Sequence, residues 1–115
     1  MIIGKAAIIP NIAECDKAHQ IIHKMAHYDS LTGLANRTLI NDKLNNILKE
    51  AALTQSKTAV AFIDLDNFKL INDTIGHDIG DIVLRKASQL IEGCIGDKDF
   101  AGRLGGDEFI VVMPE

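Results

Sequence analysis

The apolar positions of this chain change their period several times, and each change marks an element. Residues 2–10, IIGKAAIIP, form a short apolar run closed by Pro10, which predicts the end of a strand. Over residues 11–28 the pattern turns helical: Asn11 can cap, and Ile12, Ala18, Ile21, Ile22, Met25 and Ala26 share one stripe. DSLTGLANR, residues 29–37, reads as a turn in which Asp29 and Ser30 are local caps and Gly33 is the breaker. Asn36 then caps a second helix, lined on one face by Leu39, Leu44, Ile47, Leu48 and Ala51. TAVAFIDLD is the clearest strand, apolar at every position of 59–63, the pattern of a strand covered on both faces. A short helix, NFKLIND, follows and Gly76 ends it; a longer helix from about Asp78 carries Ile79, Ile82, Val83, Ala87, Leu90 and Ile91. FAGRL and FIVVM are two strands around Gly105 and Gly106, a hairpin signal.

After the opening run, the order is helix, helix, strand, helix, helix, strand, strand. Helical crossovers predict an α/β domain with a central sheet under helical cover, and the hairpin makes part of that sheet antiparallel. The helix over 11–28 has nothing local to cover its stripe. It is either a stalk that pairs with a copy of itself or a helix packed on its own domain.

Composition narrows the picture. A chain of 115 residues, 47% hydrophobic and 24% charged, is at most one ordinary domain, with globular composition and no low-complexity tract. The net charge of −4 gives no basic stripe, so the expected partners exclude nucleic acid. A small anionic ligand remains compatible if a metal and local cations neutralise it. Cys15 and Cys94 stand far apart, in neither CxxC nor CxxH spacing, and read as two incidental thiols in a reducing cytoplasm. The opening apolar run is broken by Lys5, lacks a signal-peptide cleavage site and is too short to span a bilayer. The expectation is a soluble, cytoplasmic chain with no membrane contact in this fragment.

The chemistry concentrates in two acidic clusters. Asp64 and Asp66 end the apolar strand, where ligand sites of sheet proteins often lie; Asp66 can cap the next helix, but Asp64 continues a core strand. A calcium loop fails there, because position 5 is Phe68 and position 6 is Lys69 rather than glycine. Rossmann and P-loop patterns are absent. The second cluster is Asp107 and Glu108 at the hairpin tip. If the strand ending at Asp64 is central, a neighbouring hairpin brings these acids beside it, and such a group repels itself unless a divalent cation sits within. Mg²⁺ takes oxygen ligands and binds through one or two carboxylates plus substrate phosphates. Gly105 and Gly106 would let a nucleotide approach the backbone, and Lys69 and Arg103 are the local cations for phosphate charge. The alternative is a hairpin of purely structural use.

GGDEF at residues 105–109, with Arg103 two positions before it, DSLTGLANR and FIDLDNFKLINDTIGHDIGD together resemble the GGDEF domain, the catalytic domain of diguanylate cyclases. The likeness runs from about Tyr28 to Glu115 through four ordered motifs, with Ala35 where the family commonly has proline. It implies a palm-like α+β fold related to nucleotide cyclases, with a ferredoxin-like sheet. It also implies condensation of two GTP into cyclic di-GMP and pyrophosphate by two facing domains of a homodimer. By motif, Asp64, the Leu65 carbonyl and Asp107 would hold Mg²⁺ (or Mn²⁺), and Glu108 would serve a second ion. Asp107 is the candidate proton acceptor, and Lys69 and Arg103 complete the catalytic set. Asn72 and Asp81 would read the guanine edge within a binding set that includes Phe68, Gly105 and Gly106. His77 either joins that set or simply starts a helix.

Two departures accompany the likeness. The family's product-inhibition motif is R-x-x-D; here Asp99 is present and Gly96 replaces the arginine, whose bidentate fork would grip the ligand. The chain also stops at Glu115, where family domains continue, so it is expected to be the N-terminal part of the domain, over residues 29–115. Residues 1–10 resemble the last strand of an upstream PAS sensor domain, and residues 11–28 its exit helix. A second function class stays open: a non-catalytic GTP-binding module that regulates an attached partner.

Overall fold

A computed structural model describes residues 16–115. The strand expected over 2–10, the Asn11 cap and Cys15 lie outside the described residues. A helix α1 covers residues 16–27. It is followed by α2 (Arg37–Thr54), β1 (Thr58–Asp64), α3 (Phe68–Thr74), α4 (His77–Cys94), β2 (Phe100–Gly105) and β3 (Glu108–Pro114). The element order expected from the pattern is the one observed. α4 starts one residue early, at His77, because Gly76 at φ +119° turns the chain just before it.

β3 lies between β1 and β2 and is antiparallel to both, so the two outer strands run the same way. This corrects the expectation that β1 is the doubly covered strand. β1 is an edge of the described sheet, with Phe62 74% exposed, whereas Phe109, Ile110, Val111 and Val112 of β3 are all buried. The two apolar runs have similar length and composition, and periodicity carries no information on which strand another inserts beside. The hairpin decides it: β3 folds back on β2 and then pairs with β1 along its whole length, from Thr58 opposite Pro114 to Asp64 opposite Glu108.

Alternation along β3 divides the core into two layers. Phe109 and Val111 pack with Leu34, Phe68, Leu84 and Ala101 on the side covered by α3 and α4. Ile110 and Val112 pack with Ala35 and Ile40 on the side covered by α2. α2 lies close to β2, and a Cβ on Gly102 would overlap the Ile40 side chain and sit 2.9 Å from the Ala35 carbonyl oxygen. Full burial of Phe109, Val112 and Ile40 contributes on the order of 1.5–3 kcal/mol each. The ends of β1 and β3 are thereby fixed in register, and with them the acids beyond.

Candidate functional site

Asp64 is the last residue of β1 and Glu108 the first of β3, and they are direct partners in the antiparallel register. The Leu65 N–H donates to the Asp107 carbonyl oxygen at 3.3 Å and closes the ladder one step further. The Asp64 carboxyl is held above the usual carboxylate range. The main cause is a hydrogen bond with the Asp107 side chain, followed by the Asp107 charge, desolvation, Glu108 and Asp66. Negative charge gathered around Asp64 disfavours its ionised form, as expected where carboxylates converge without a cation. Asp64 also borders a cleft of ≈ 280 Å³ with Glu108, Arg37 and Leu104. A larger hollow of ≈ 440 Å³ lies by Ile47 and Lys98, so convergent charge rather than volume marks the site.

The glycines before the acids answer to backbone geometry. Gly105 has φ +150° and Gly106 φ +51°, regions that residues with a Cβ avoid, and β2 shifts register between Arg103 and Gly105 as it enters the turn. A Cβ at either glycine would meet nothing within 4 Å, so the space beside the turn is open.

Arg103 holds this turn in place. Its Nε donates to the Gly106 carbonyl oxygen at 2.9 Å, and its Nη1 reaches the two Asp29 carboxylate oxygens at 3.1 and 3.2 Å. Asp29 in turn accepts from the Thr32 N–H and hydroxyl at 2.9 and 2.7 Å. Burial pushes the Asp29 pKa up, but the Thr32 bonds and the Arg103 charge together leave it below the usual range. Asn36 completes the junction. It accepts from the Leu39 N–H as the cap of α2, and its Nδ2 donates to the Ala26 carbonyl oxygen at 2.9 Å, fastening α1 to α2.

The other expected residues lie on α3 and α4. Phe68 is buried beneath the sheet, while Lys69 and His77 are exposed. Asn72 and Asp81 are half-buried, and Asn72 leans on α4 so closely that a Cβ on Gly80 would overlap its Oδ1. Asp66 does not cap α3 as expected: the cap position is Asn67, at φ +60°, with no side-chain bond. Asp66 stays exposed and adds to the charge on Asp64. Asp99 is engaged in its own turn, accepting from the Gly96 N–H at 2.9 Å.

The structure therefore brings Asp64, Leu65, Asp107 and Glu108 to one end of the sheet. Arg103, expected among the free cations, is committed to Asp29 and the hairpin turn. Sequence reasoning missed that bond and the Gly80 seat, because their partners are distant in the chain or separated by a turn. Among the described residues no group of three or more His, Cys, Asp or Glu is disposed to hold a metal ion. The Asp64–Asp107 pair still fits Mg²⁺, which takes one or two carboxylates and draws its remaining oxygens from phosphates and water.

Cyclic di-GMP phosphodiesterase NbdA of Pseudomonas aeruginosa is 46% identical over 99 residues, covering 86% of this chain and 13% of that protein. Diguanylate cyclase DgcP of Escherichia coli is 41% identical over 110 residues, covering 96% of this chain and 31% of that protein. The chain thus spans about a tenth to a third of the length of the curated relatives it matches. Among solved structures, the coiled coil and GGDEF domain of DgcB from Caulobacter crescentus, in complex with c-di-GMP, superposes with TM-score 0.83 at 33% identity. That match covers 96% of this chain and 59% of that one. The family model for "Diguanylate cyclase, GGDEF domain" matches residues 26–115, and the chain belongs to that family.

Proposed function

We propose that this domain condenses two GTP molecules into cyclic di-GMP, as one half of a homodimer and with Mg²⁺ or Mn²⁺. The observation that carries this reading is the meeting of Asp64 and Asp107 where β1 ends beside the β2–β3 turn. In each half-reaction a ribose 3′-hydroxyl of one GTP attacks the α-phosphate of the other. A phosphodiester bond forms, pyrophosphate leaves and the hydroxyl proton passes to a base. Asp107 is the proposed acceptor, lying at the hairpin tip next to the open space above Gly105 and Gly106. The metal, held by Asp64, Asp107 and the Leu65 carbonyl with Glu108 serving a second ion, would neutralise triphosphate charge and favour the ionised hydroxyl.

The remaining roles belong to the chain alone. Asn72 and Asp81 are assigned to the guanine edge, and Phe68 anchors α3 from the core. His77 is assigned to the same end of α4, and Lys69 supplies an exposed cation to the phosphates. Arg103 acts through the turn it braces rather than on substrate. Exposed Ile21, Ile22 and Met25 on α1 support pairing of two stalks below an upstream sensor domain. No described helix is long and apolar enough to cross a membrane. GTP as substrate places the proposed activity in the cytoplasm.

The test is product formation by the protein that carries this sequence, supplied with GTP and Mg²⁺. Asp107→Asn is expected to lower turnover by about 10²- to 10⁴-fold with the fold intact; wild-type turnover in that variant removes Asp107 from the mechanism. A second reading, a GTP-binding module without turnover, has one observation in its favour: a relative at 46% identity is named a phosphodiesterase. Stoichiometric GTP binding without cyclic di-GMP would select it.

A further inference from the structure

We infer that α1 carries a transition-metal site, formed by His23 and His27 on the face opposite its apolar stripe. His19, His23 and His27 recur every fourth residue, so their side chains stack along one line of the helix. The His23 and His27 rings lie 4.2 Å apart between centroids with a 30° tilt, close enough for two imidazoles to share one ion. His27 Nδ1 lies 2.8 Å from the His23 carbonyl oxygen. A carbonyl oxygen only accepts, so Nδ1 is the donor in this contact and Nε2 is the ring nitrogen left to face a metal. An imidazole anchored through one N–H to a backbone carbonyl is the usual state of a histidine that binds metal through its other nitrogen.

Position on the helix separates this site from both functions already assigned to the chain. Ala18, Ile21 and Met25 follow a three–four spacing that forms a seam for a partner helix, and the histidines fall on the outer side of that seam. Pairing of two stalks leaves them in water. The acidic pair of Asp64 and Asp107 is a separate site with different chemistry: hard oxygens there suit Mg²⁺, whereas paired imidazoles suit Zn²⁺, Ni²⁺ or Cu²⁺. No third protein ligand stands by, in keeping with the absence of larger ligand groups among the described residues, so water completes the coordination.

The site also sits at a junction. The His27 carbonyl oxygen accepts from the Asn36 N–H at 2.9 Å, and the Ala26 carbonyl from the Asn36 side chain. A metal bridging His23 and His27 would therefore stiffen the helical turn that Asn36 fastens to the domain.

The experiment is calorimetric titration of the metal-free protein with Zn²⁺ in millimolar excess of Mg²⁺, which occupies the carboxylates and not the imidazoles. One Zn²⁺ per chain is expected. His23→Gln and His27→Gln should each weaken binding by at least about 10- to 100-fold, the loss seen even for outer partners of metal ligands. His19→Gln should leave it within about twofold, and circular dichroism should show the same helix content in all three. Ring resonances of His23 and His27 should shift with Zn²⁺ ahead of any other. Absence of Zn²⁺ binding above the Mg²⁺ background, or full binding by His23→Gln, overturns the site. Loss in His23→Gln with none in His27→Gln also overturns it, since the ion would then lie between His19 and His23.

Discussion

Gly80 shows how a residue without a side chain can govern one that has chemistry. In the interior of α4 an alanine would favour the helix by about 0.8–1 kcal/mol, so its absence needs a reason. Asn72 supplies it, because the Oδ1 of Asn72 occupies the space of a Gly80 Cβ, with Phe68 Cζ only 3.4 Å from the same point. Gly80→Ala is expected to keep or raise the melting temperature while turning the Asn72 carboxamide aside. If Asn72 bonds guanine, KM for GTP rises by about 3- to 10-fold, the worth of one hydrogen bond, with kcat little changed. Unaltered GTP affinity would separate Asn72 from base recognition.

Asp64 allows a pH argument at the other end of the sheet. Its folded pKa is raised, so the protonated acid is favoured by folding. That contribution is fully present below the ordinary carboxylate range and is lost as pH rises through the raised value. Asp64→Asn should therefore raise the melting temperature at neutral pH and do little at strongly acid pH. Mg²⁺ should raise the wild-type melting temperature and leave that of the variant much less changed. An equal Mg²⁺ response in both proteins would place the ion elsewhere.

The braced turn joins elements rather than residues. Asp29 opens the loop between α1 and α2, and Arg103 lies in β2, 74 positions later, yet their ion pair is largely shielded, with side chains 19% and 15% exposed. Removing one partner leaves the other charge half-buried, so Arg103→Met should destabilise by about 1.5–3 kcal/mol. Asp29 has a lowered pKa, and its contribution is present above the ordinary carboxylate range and lost as pH falls through the depressed value. Denaturant midpoints of the wild type and Arg103→Met should thus converge in acid; a constant gap down to the lowest pH would make the contribution steric. The same bond marks the boundary of what patterning reveals. Helix faces, caps at Asn36 and turns at Gly33 and Gly76 are local, and the chain states them in its periodicity. The acids' convergence was legible through the motifs that carry them. Which strand is central, and which carboxylate takes Arg103, are set by the β1–β3 pairing and by contacts far apart in sequence, where a single chain read in order holds no signal.

For the molecule as a whole, the reaction proposed needs two GTP-loaded domains, and α1 is the surface best suited to bring them together. Its Ile21, Ile22 and Met25 are exposed by 59%, 62% and 74%, and it is tied down at its C-terminal end through Asn36. A helix of this length gains little from propensity alone and is stabilised by what its apolar face packs against. Burying one such side chain contributes about 1.5–3 kcal/mol, and a symmetric pair gains it twice. Ile21→Glu should then weaken self-association by more than about a hundredfold, since each 1.4 kcal/mol is tenfold in the constant. Cyclic di-GMP formation should fall with it, and should rise more steeply than linearly with enzyme concentration where the dimer is incomplete. GTP binding per chain should be untouched, because Ile21 is not among the residues assigned to GTP. Sedimentation and product assays on the same samples decide the matter: a fully active Ile21→Glu monomer would exclude pairing through this helix.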